Sequence, residues 1–215
     1  MASPVLDKAV PGPGGPRGPR SPDDSGSRDR PEKGGSPGII GDPARFGLLA
    51  FMGTVSMLFI GFTSAYILRR ASADWLPLPA PPVLWLNTGI LGLSSAALEV
   101  ARRRLRGWDL ASAQKWGTAT AALGLAFLAG QFVGWQQLRA QGVFLASNPH
   151  SSFFYLLTGV HGLHLFGGLA WGLVVVARLR RMTLTPGEDG LRLFATFWHF
   201  LGAVWLYLLF LLFVY

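Results

Sequence analysis

The sequence has no cysteine and few charged residues. Without cysteine, disulfide bonds and thiolate metal sites are excluded. Asp, Glu, Lys and Arg together make up 14% of the 215 residues, whereas they make up about a quarter of a typical soluble protein. Hydrophobic residues account for 50% of the chain, so the composition predicts an integral membrane protein.

Long stretches without charge divide the chain into five predicted membrane spans. Four of them contain no Asp, Glu, Lys or Arg. The remaining one, the second in chain order, has one acid, Glu99, near its end. A helix needs about 20 mainly apolar residues to cross the hydrocarbon core, and these stretches are long enough. We therefore predict an all-α, polytopic membrane protein with a bundle of five transmembrane helices over 45–215. The predicted spans are 46–68, 82–101, 116–138, 151–177 and 193–215.

The first 44 residues differ sharply from the rest of the chain. They contain nine prolines and nine glycines, with acids and bases mixed among them. Such a segment has too few apolar residues to form a core, so we predict a disordered tail over 1–44. It also lacks the short apolar core of a cleaved signal peptide, and we expect it to remain in the mature protein.

The basic residues predict the orientation of the chain in the membrane. The net charge is +8, but the bases flank the spans rather than forming one basic face, so nucleic acid is not the predicted partner. If the N-terminus is inside, 16 of the 19 Lys and Arg residues lie on the cytoplasmic side. Because basic residues accumulate in cytoplasmic segments, we predict a cytoplasmic N-terminus and a C-terminus outside.

The fourth predicted span carries two histidines on the side expected to face protein. At about 100° per residue, small and polar residues fall on one side of this helix and large apolar residues on the other. In lipid, small and polar residues mark the face that packs against other helices. His161, His164 and Trp171 are therefore candidates for interhelical polar contacts. The packed side comprises Thr158, His161, His164, Gly168, Trp171 and Gly172, and the lipid side comprises Leu156, Leu163, Phe166, Leu173 and Val174.

Haem ligation is the alternative role for these histidines, together with His199 in the fifth span. Two ligands of one haem must lie at the same depth. His199 is 7 residues after Arg192, and the residue at the same distance before Arg178 is Trp171. His164 lies about 10 Å from that depth at ~1.5 Å per residue. The spacing argues against a membrane haem protein, and the absence of neighbouring carboxylates or thiolates argues against a metal site.

Glu99 precedes Arg102 and Arg103 by three and four residues near the end of the second span. This spacing puts the three side chains on one helix face, so we predict an ion pair at the membrane surface. A proton-relay carboxylate would lie deeper and away from bases. A small transporter, a further alternative, would need a broken helix around buried charges, and the sequence has no such pattern.

Two C-terminal motifs resemble a known family. The fourth span contains SSFFYLLTGVHGLHLFGGL, and the fifth contains FWHFLGAVWLYLLFLLFVY. They resemble the TGxHGxH and WHFxxxVW signatures of the last two helices of subunit III of haem–copper terminal oxidases. LPLPAPPVLWLNTGILGLSSAALEVARR and FMGTVSMLFIGFTSAY are similar to other segments of that subunit. The resemblance covers roughly 46–215.

The resemblance implies an accessory subunit of a respiratory oxidase that carries out no redox chemistry of its own. It also implies a form of that subunit with five helices rather than seven. Such a subunit holds no haem or copper, which belong to its partners. It packs against oxidase subunits I and II, binds phospholipid, and supports assembly and proton uptake during aerobic electron transport. The residues that match family motif positions are His161, His164, Trp198, His199 and Trp205.

The same resemblance implies a location in a bacterial plasma membrane and cytochrome c as the electron donor of the complex. A quinol oxidase or a nitric oxide reductase accessory protein is the alternative. Two positions depart from the family pattern, because Val55 replaces an intramembrane glutamate and Gly202 replaces an acidic residue. A proton-related role for those two positions is therefore not expected.

Overall fold

A computed structural model describes residues 43–78, 81–181 and 190–214. Within these ranges the regular structure is entirely α-helical. The predicted disordered tail over 1–44 lies outside the described residues, except for its last two residues, which begin the first helix.

The described chain forms five helices, each long and apolar enough to cross a membrane. This confirms the prediction of an all-α membrane protein with five transmembrane helices. Several helices extend beyond the predicted spans and end in basic residues. Basic side chains at a helix C-terminus interact favourably with the helix dipole, and they are long enough to reach the membrane surface. The helices are α1 (Pro43–Arg70), α2 (Pro82–Arg106), α3 (Leu110–Ala140), α4 (Pro149–Arg180) and α5 (Gly190–Phe213).

Local sequence sets where α2, α3 and α4 begin. Pro82 occupies the first turn of α2, where its missing N–H costs no helical hydrogen bond. Asp109 caps α3 by accepting a hydrogen bond from the backbone N–H of Ser112, and the Ser112 hydroxyl and N–H hold the pKa of Asp109 below its usual value. Asn148 caps α4 in a reciprocal capping box with Ser151.

Four helices form a ring, and α1 packs on its outside. Close backbone contacts join α2 to α3, α3 to α4, α4 to α5, and α5 back to α2. Within the described chain, α1 makes such contacts only with α4 and α5. The ring therefore has an interior to which α2, α3, α4 and α5 all contribute.

Glycines allow the helices of the ring to approach closely. A Cβ atom on Gly124 of α3 would lie 2.8 Å from the indole ring of Trp198, and one on Gly172 of α4 would lie 2.7 Å from the ring of Phe194. Close approach through small residues is typical of helix packing in lipid, where burying leucine against leucine gains little. Aromatic rings of α5 thus fill space that glycines of α3 and α4 leave open.

The outer faces are apolar. The predicted lipid side of α4 is 42–69% exposed in the described structure, in agreement with the pattern of its residues. On α1, Met57 and Leu68 are 77% and 79% exposed. These surfaces suit contact with lipid or with other membrane helices.

Candidate functional site

Polar side chains of all four ring helices lie near one level of the bundle, and four of the five are buried. We call this group the polar layer, and its members are Asn87 and Thr88 of α2, Gln131 of α3, His161 of α4 and Trp205 of α5. Asn87, His161 and Trp205 are at most 1% exposed, and Gln131 is 5% exposed. The sequence had indicated His161 and Trp205, but it had not indicated that they lie beside these polar residues.

Two hydrogen bonds tie α2 to its neighbours at this level. The indole N–H of Trp205 donates to Thr88 Oγ1 at 3.0 Å. The amide Nδ2 of Asn87 donates to the backbone carbonyl of Phe127 at 3.2 Å. The Asn87 bond is buried and the Trp205 bond is partly buried, and both hold the helices at a fixed relative height.

His161 stacks on Trp205, with 5.4 Å between ring centroids and 30° between ring planes. Phe127 meets both rings edge-on, at 6.3 Å from His161 and 5.0 Å from Trp205. Neither ring nitrogen of His161 has a hydrogen-bond partner among the described residues. The imidazole is therefore enclosed by aromatic rings while its polar atoms remain unmatched.

His164 is directed away from the polar layer, toward α1. Its ring lies 6.3 Å from that of Phe51 and 6.1 Å from that of Phe59. The Nδ1–H donates to the carbonyl of Val160 at 2.8 Å, because a carbonyl can only accept. The other ring nitrogen, Nε2, lies in an otherwise apolar setting.

A groove beside His164 separates α1 from α4 and has a volume of about 320 Å³. We call it the α1/α4 groove. Trp171 lines its far end and packs against Phe194 and Phe197, at centroid distances of 5.8 Å and 6.0 Å. The complete lining is Leu48, Phe51, Leu163, His164, Gly167, Gly168, Trp171 and Phe197.

Trp198 lies inside the ring and is 0% exposed. It packs against Gly124 and lies 5.5 Å from Phe194 between ring centroids. Its indole N–H has no partner among the described residues. Its contacts in the described structure are those of a packing residue.

His199 lies outside the packed interior, although the sequence had suggested interhelical packing for it. Its side chain is exposed and lines a groove between α2 and α5 with Ser95, Gly202 and other small residues. His199 thus faces α2, whereas His164 faces α1. The two rings therefore point toward different helices and also lie at different depths, so they cannot bind one ligand together.

His150, in the first turn of α4, joins three parts of the chain. Its Nδ1 accepts from the backbone N–H of Leu78 at 3.2 Å, so its Nε2 carries the proton and donates to the carbonyl of Leu212 at 3.1 Å. The ring also stacks on Trp75 at 4.7 Å. Only its place directly after Pro149 at a helix start was visible in the sequence, and nothing there indicates Leu212.

The spacing of small residues on α3 is a sequence signal for the buried position of Gln131. Gly117, Gly124 and Gln131 recur every seven residues on α3, and all three are buried. A polar residue that continues a stripe of small residues is expected on a packed face. The buried position of Gln131 was therefore open to prediction, but its neighbours were not.

The chain matches the family model described as cytochrome c oxidase subunit III over residues 38–215. It is 34% identical over 184 residues to cytochrome c oxidase subunit 3 of Synechocystis sp., covering 80% of this chain and 76% of that protein. The corresponding protein of Thermostichus vulcanus is 34% identical over 178 residues, covering 78% and 85%. That of Corynebacterium diphtheriae is 28% identical over 171 residues, covering 74% and 82%.

This chain belongs to the cytochrome c oxidase subunit III family. It is an accessory subunit III of a haem–copper oxidase, an oxidoreductase complex in which it associates with other oxidase subunits. Subunit III is not the redox-centre subunit of that complex. Among the described residues, no group of three or more His, Asp and Glu side chains is arranged to hold a metal ion.

Two positions of the subunit III chain lie where the sequence departs from the family pattern. Val55 lies on the packed face of α1, where its apolar side chain is 2% exposed. Gly202 lies in the groove between α2 and α5, close to Ser95. Neither position supplies an ionisable group to the bundle.

Glu99 of the subunit III chain forms an ion pair on the surface of α2. Its carboxylate lies 2.7 Å from Arg102 Nη1 and 3.5 Å from Arg103 Nε. The side chain of Glu99 is 33% exposed and that of Arg103 is 76% exposed. The two guanidinium groups hold the Glu99 carboxylate in place by charge-assisted hydrogen bonds within α2.

Proposed function

We propose that this subunit stabilises the assembled oxidase by packing against subunits I and II and by holding phospholipid beside α4. The observation that supports lipid binding is the α1/α4 groove, which is apolar and open toward the exposed face of α4. Leu163, at its rim, is 69% exposed. An acyl chain matches such a lining, since its side chains are apolar except for the imidazole of His164 and the indole N–H of Trp171.

The position of α1 supports a role in assembly. This helix packs on one side of the ring and leaves its other side apolar. In a membrane, helix faces associate through close packing and a few polar contacts. We propose that the free side of α1 contacts lipid and the other oxidase subunits, while α4 and α5 anchor it.

We propose that the chain lies in a bacterial plasma membrane with its N-terminus in the cytoplasm. The uneven distribution of basic residues supports this orientation. It puts Glu99 at the cytoplasmic surface, where protons for dioxygen reduction enter the complex. Glu99 would then support proton uptake by the complex, without forming a path through this subunit. The domain division follows, with a cytoplasmic tail over 1–44 and a membrane domain over 45–215.

Filling the α1/α4 groove tests the lipid proposal. Gly167 lines the groove, and a Cβ atom there would meet nothing within 4 Å, so Gly167→Leu fills the groove without a clash at its base. Gly89→Leu is the matched control, because Gly89 is open in the same way but lies on α2 away from the groove. We expect the complex with Gly167→Leu to retain less phospholipid, measured by mass spectrometry, and to lose activity sooner during turnover.

Equal lipid retention by the Gly167→Leu and Gly89→Leu complexes would show that the groove is not a lipid site. The partners are tested separately, by purifying the native complex and identifying its subunits. Turnover with reduced cytochrome c, compared with a quinol, distinguishes the proposed donor from the alternative oxidase. A haem spectrum from the isolated chain would instead support the alternative of a membrane haem protein.

A further inference from the structure

Three buried side chains of the polar layer have polar atoms without partners among the described residues. They are the Oδ1 of Asn87, both amide heteroatoms of Gln131, and both ring nitrogens of His161. All three residues are at least nine-tenths buried. Buried polar atoms are costly to leave unmatched, and in folded proteins nearly all of them bond to protein or to ordered water.

These unmatched groups surround one residue, Phe127. Asn87 donates to its backbone carbonyl, and His161 meets its ring edge-on. Gln131 follows Phe127 by one helical turn on the same buried face of α3. The three groups therefore lie within about one helical turn of Phe127, between α2, α3 and α4.

The position of Asn87 is fixed from two sides. Its Nδ2 is engaged by the Phe127 carbonyl, and its amide lies directly against Gly130, where any side chain would collide with it. The remaining oxygen thus cannot turn toward another protein donor without giving up the bond to Phe127. Asn87 Oδ1 therefore needs a hydrogen-bond donor that can move to it.

The mixture of donors and acceptors identifies the kind of ligand. Asn87 Oδ1 and Gln131 Oε1 accept, Gln131 Nε2 donates, and neutral His161 offers one donor and one acceptor. A cation would require acceptors alone, and an anion would require donors alone. An apolar gas or an acyl chain would use neither. Water both donates and accepts, and buried waters typically make about three bonds to such groups.

We propose that the polar layer is a binding site for ordered water, which links Asn87, Gln131 and His161. This water supplies the hydrogen bonds that join α2, α3 and α4 at their common level. It also lets a buried imidazole remain uncharged while both of its ring nitrogens are paired. The role is distinct from lipid binding, since the polar layer is inside the ring and the α1/α4 groove is outside it.

The test is a structure of the intact oxidase complex by electron cryo-microscopy, at a resolution that shows ordered water. We expect a density peak within hydrogen-bond distance of Gln131 and of at least one other unmatched atom of Asn87 or His161. The same structure of Gln131→Met, which keeps the side-chain length without its polar atoms, should lack that peak. Ser94→Ala is the matched control, because the Ser94 hydroxyl already donates to the Thr120 carbonyl at 3.2 Å. It should leave the peak unchanged.

Two results would overturn the proposal. One is a wild-type map in which Gln131, Asn87 and His161 bond directly to each other with no peak among them. The other is a peak that keeps its position in Gln131→Met. If Gln131→Met does not assemble, the wild-type map alone decides between ordered water and direct side-chain pairing.

Discussion

Trp205 and Thr88 close the ring of four helices. They are 117 residues apart in the sequence, and the indole N–H of one donates to the hydroxyl of the other at 3.0 Å. The Thr88 hydroxyl also donates to the Leu84 carbonyl of its own helix at 2.8 Å. The bond joins α5 to α2, which are the last and first helices of the ring.

A double-mutant cycle on this pair should give a small favourable coupling. Thr88→Val keeps the shape of the side chain and removes the acceptor, and Trp205→Phe keeps a ring and removes the donor. Hydrogen bonds between membrane helices average ~0.6 kcal/mol, so we expect a coupling of that order. It can be measured from reversible unfolding of the subunit in mixed micelles. Strict additivity of the two single changes would contradict a stabilising bond.

His150 should hold the outer connection between α1 and α2. His150→Phe keeps an aromatic ring against Trp75 but loses the bonds to Leu78 and Leu212. We expect faster amide hydrogen exchange at Leu78, because its N–H would lose its acceptor. Hydrogen-exchange mass spectrometry of a peptide that contains residues 75–78 measures this, with a peptide from the middle of α3 as the internal control. Unchanged exchange at Leu78 would mean that the bond contributes nothing to local stability.

Gly124 should tolerate no side chain, whereas Gly162 should. A Cβ atom on Gly124 would lie 2.8 Å from the buried ring of Trp198, and one on Gly162 would meet nothing within 4 Å. Overpacking of a filled core costs about 1–3 kcal/mol. Gly124→Ala should therefore lower the thermal stability of the complex more than Gly162→Ala, as measured by release of the subunit on heating. Equal melting of the two variants would contradict the close contact.

The sequence predicted the helices well because length and charge depletion determine which segments cross a membrane. It also predicted which side of α4 is exposed, since Leu163 and Phe166 share one face. It could not say which helix the other side meets. His161 and His164 are only about 60° apart on the helix, yet one enters the ring and the other faces α1.

The polar layer and the role of His150 depend on contacts between residues that are far apart in the chain. The stripe of small residues on α3 predicts that Gln131 is buried, but only the packing of α2 on α3 brings it near Asn87. His150 bonds to Leu212, which is 62 residues away. His199 shows the same limit, because a pattern of small residues around it marks a groove as readily as a packed face.

The last prediction concerns proton transfer. A proton path through a membrane protein normally uses ionisable side chains, which are costly in hydrocarbon and rarely present without a function. This chain has no Asp, Glu, Lys or Arg in 46–68, 116–138, 140–177 or 193–215, and Val55 stands where the family pattern has a glutamate. Glu99 remains, but Arg102 holds it at 2.7 Å on the helix surface.

Glu99→Gln should therefore leave the number of protons pumped per electron unchanged in the reconstituted oxidase, with at most a slower uptake rate. Asp109→Asn is the matched control, because Asp109 is an acid beyond the same end of α2 and lies 3.5 Å from Arg104. Proton release by vesicles after a pulse of reductant measures the ratio for both variants. A lower ratio for Glu99→Gln alone, with the complex intact, would mean that this carboxylate belongs to a proton path. If the ratio is the same for both variants, proton translocation belongs to the other subunits, because the described helices of this chain hold no carboxylate besides Glu99.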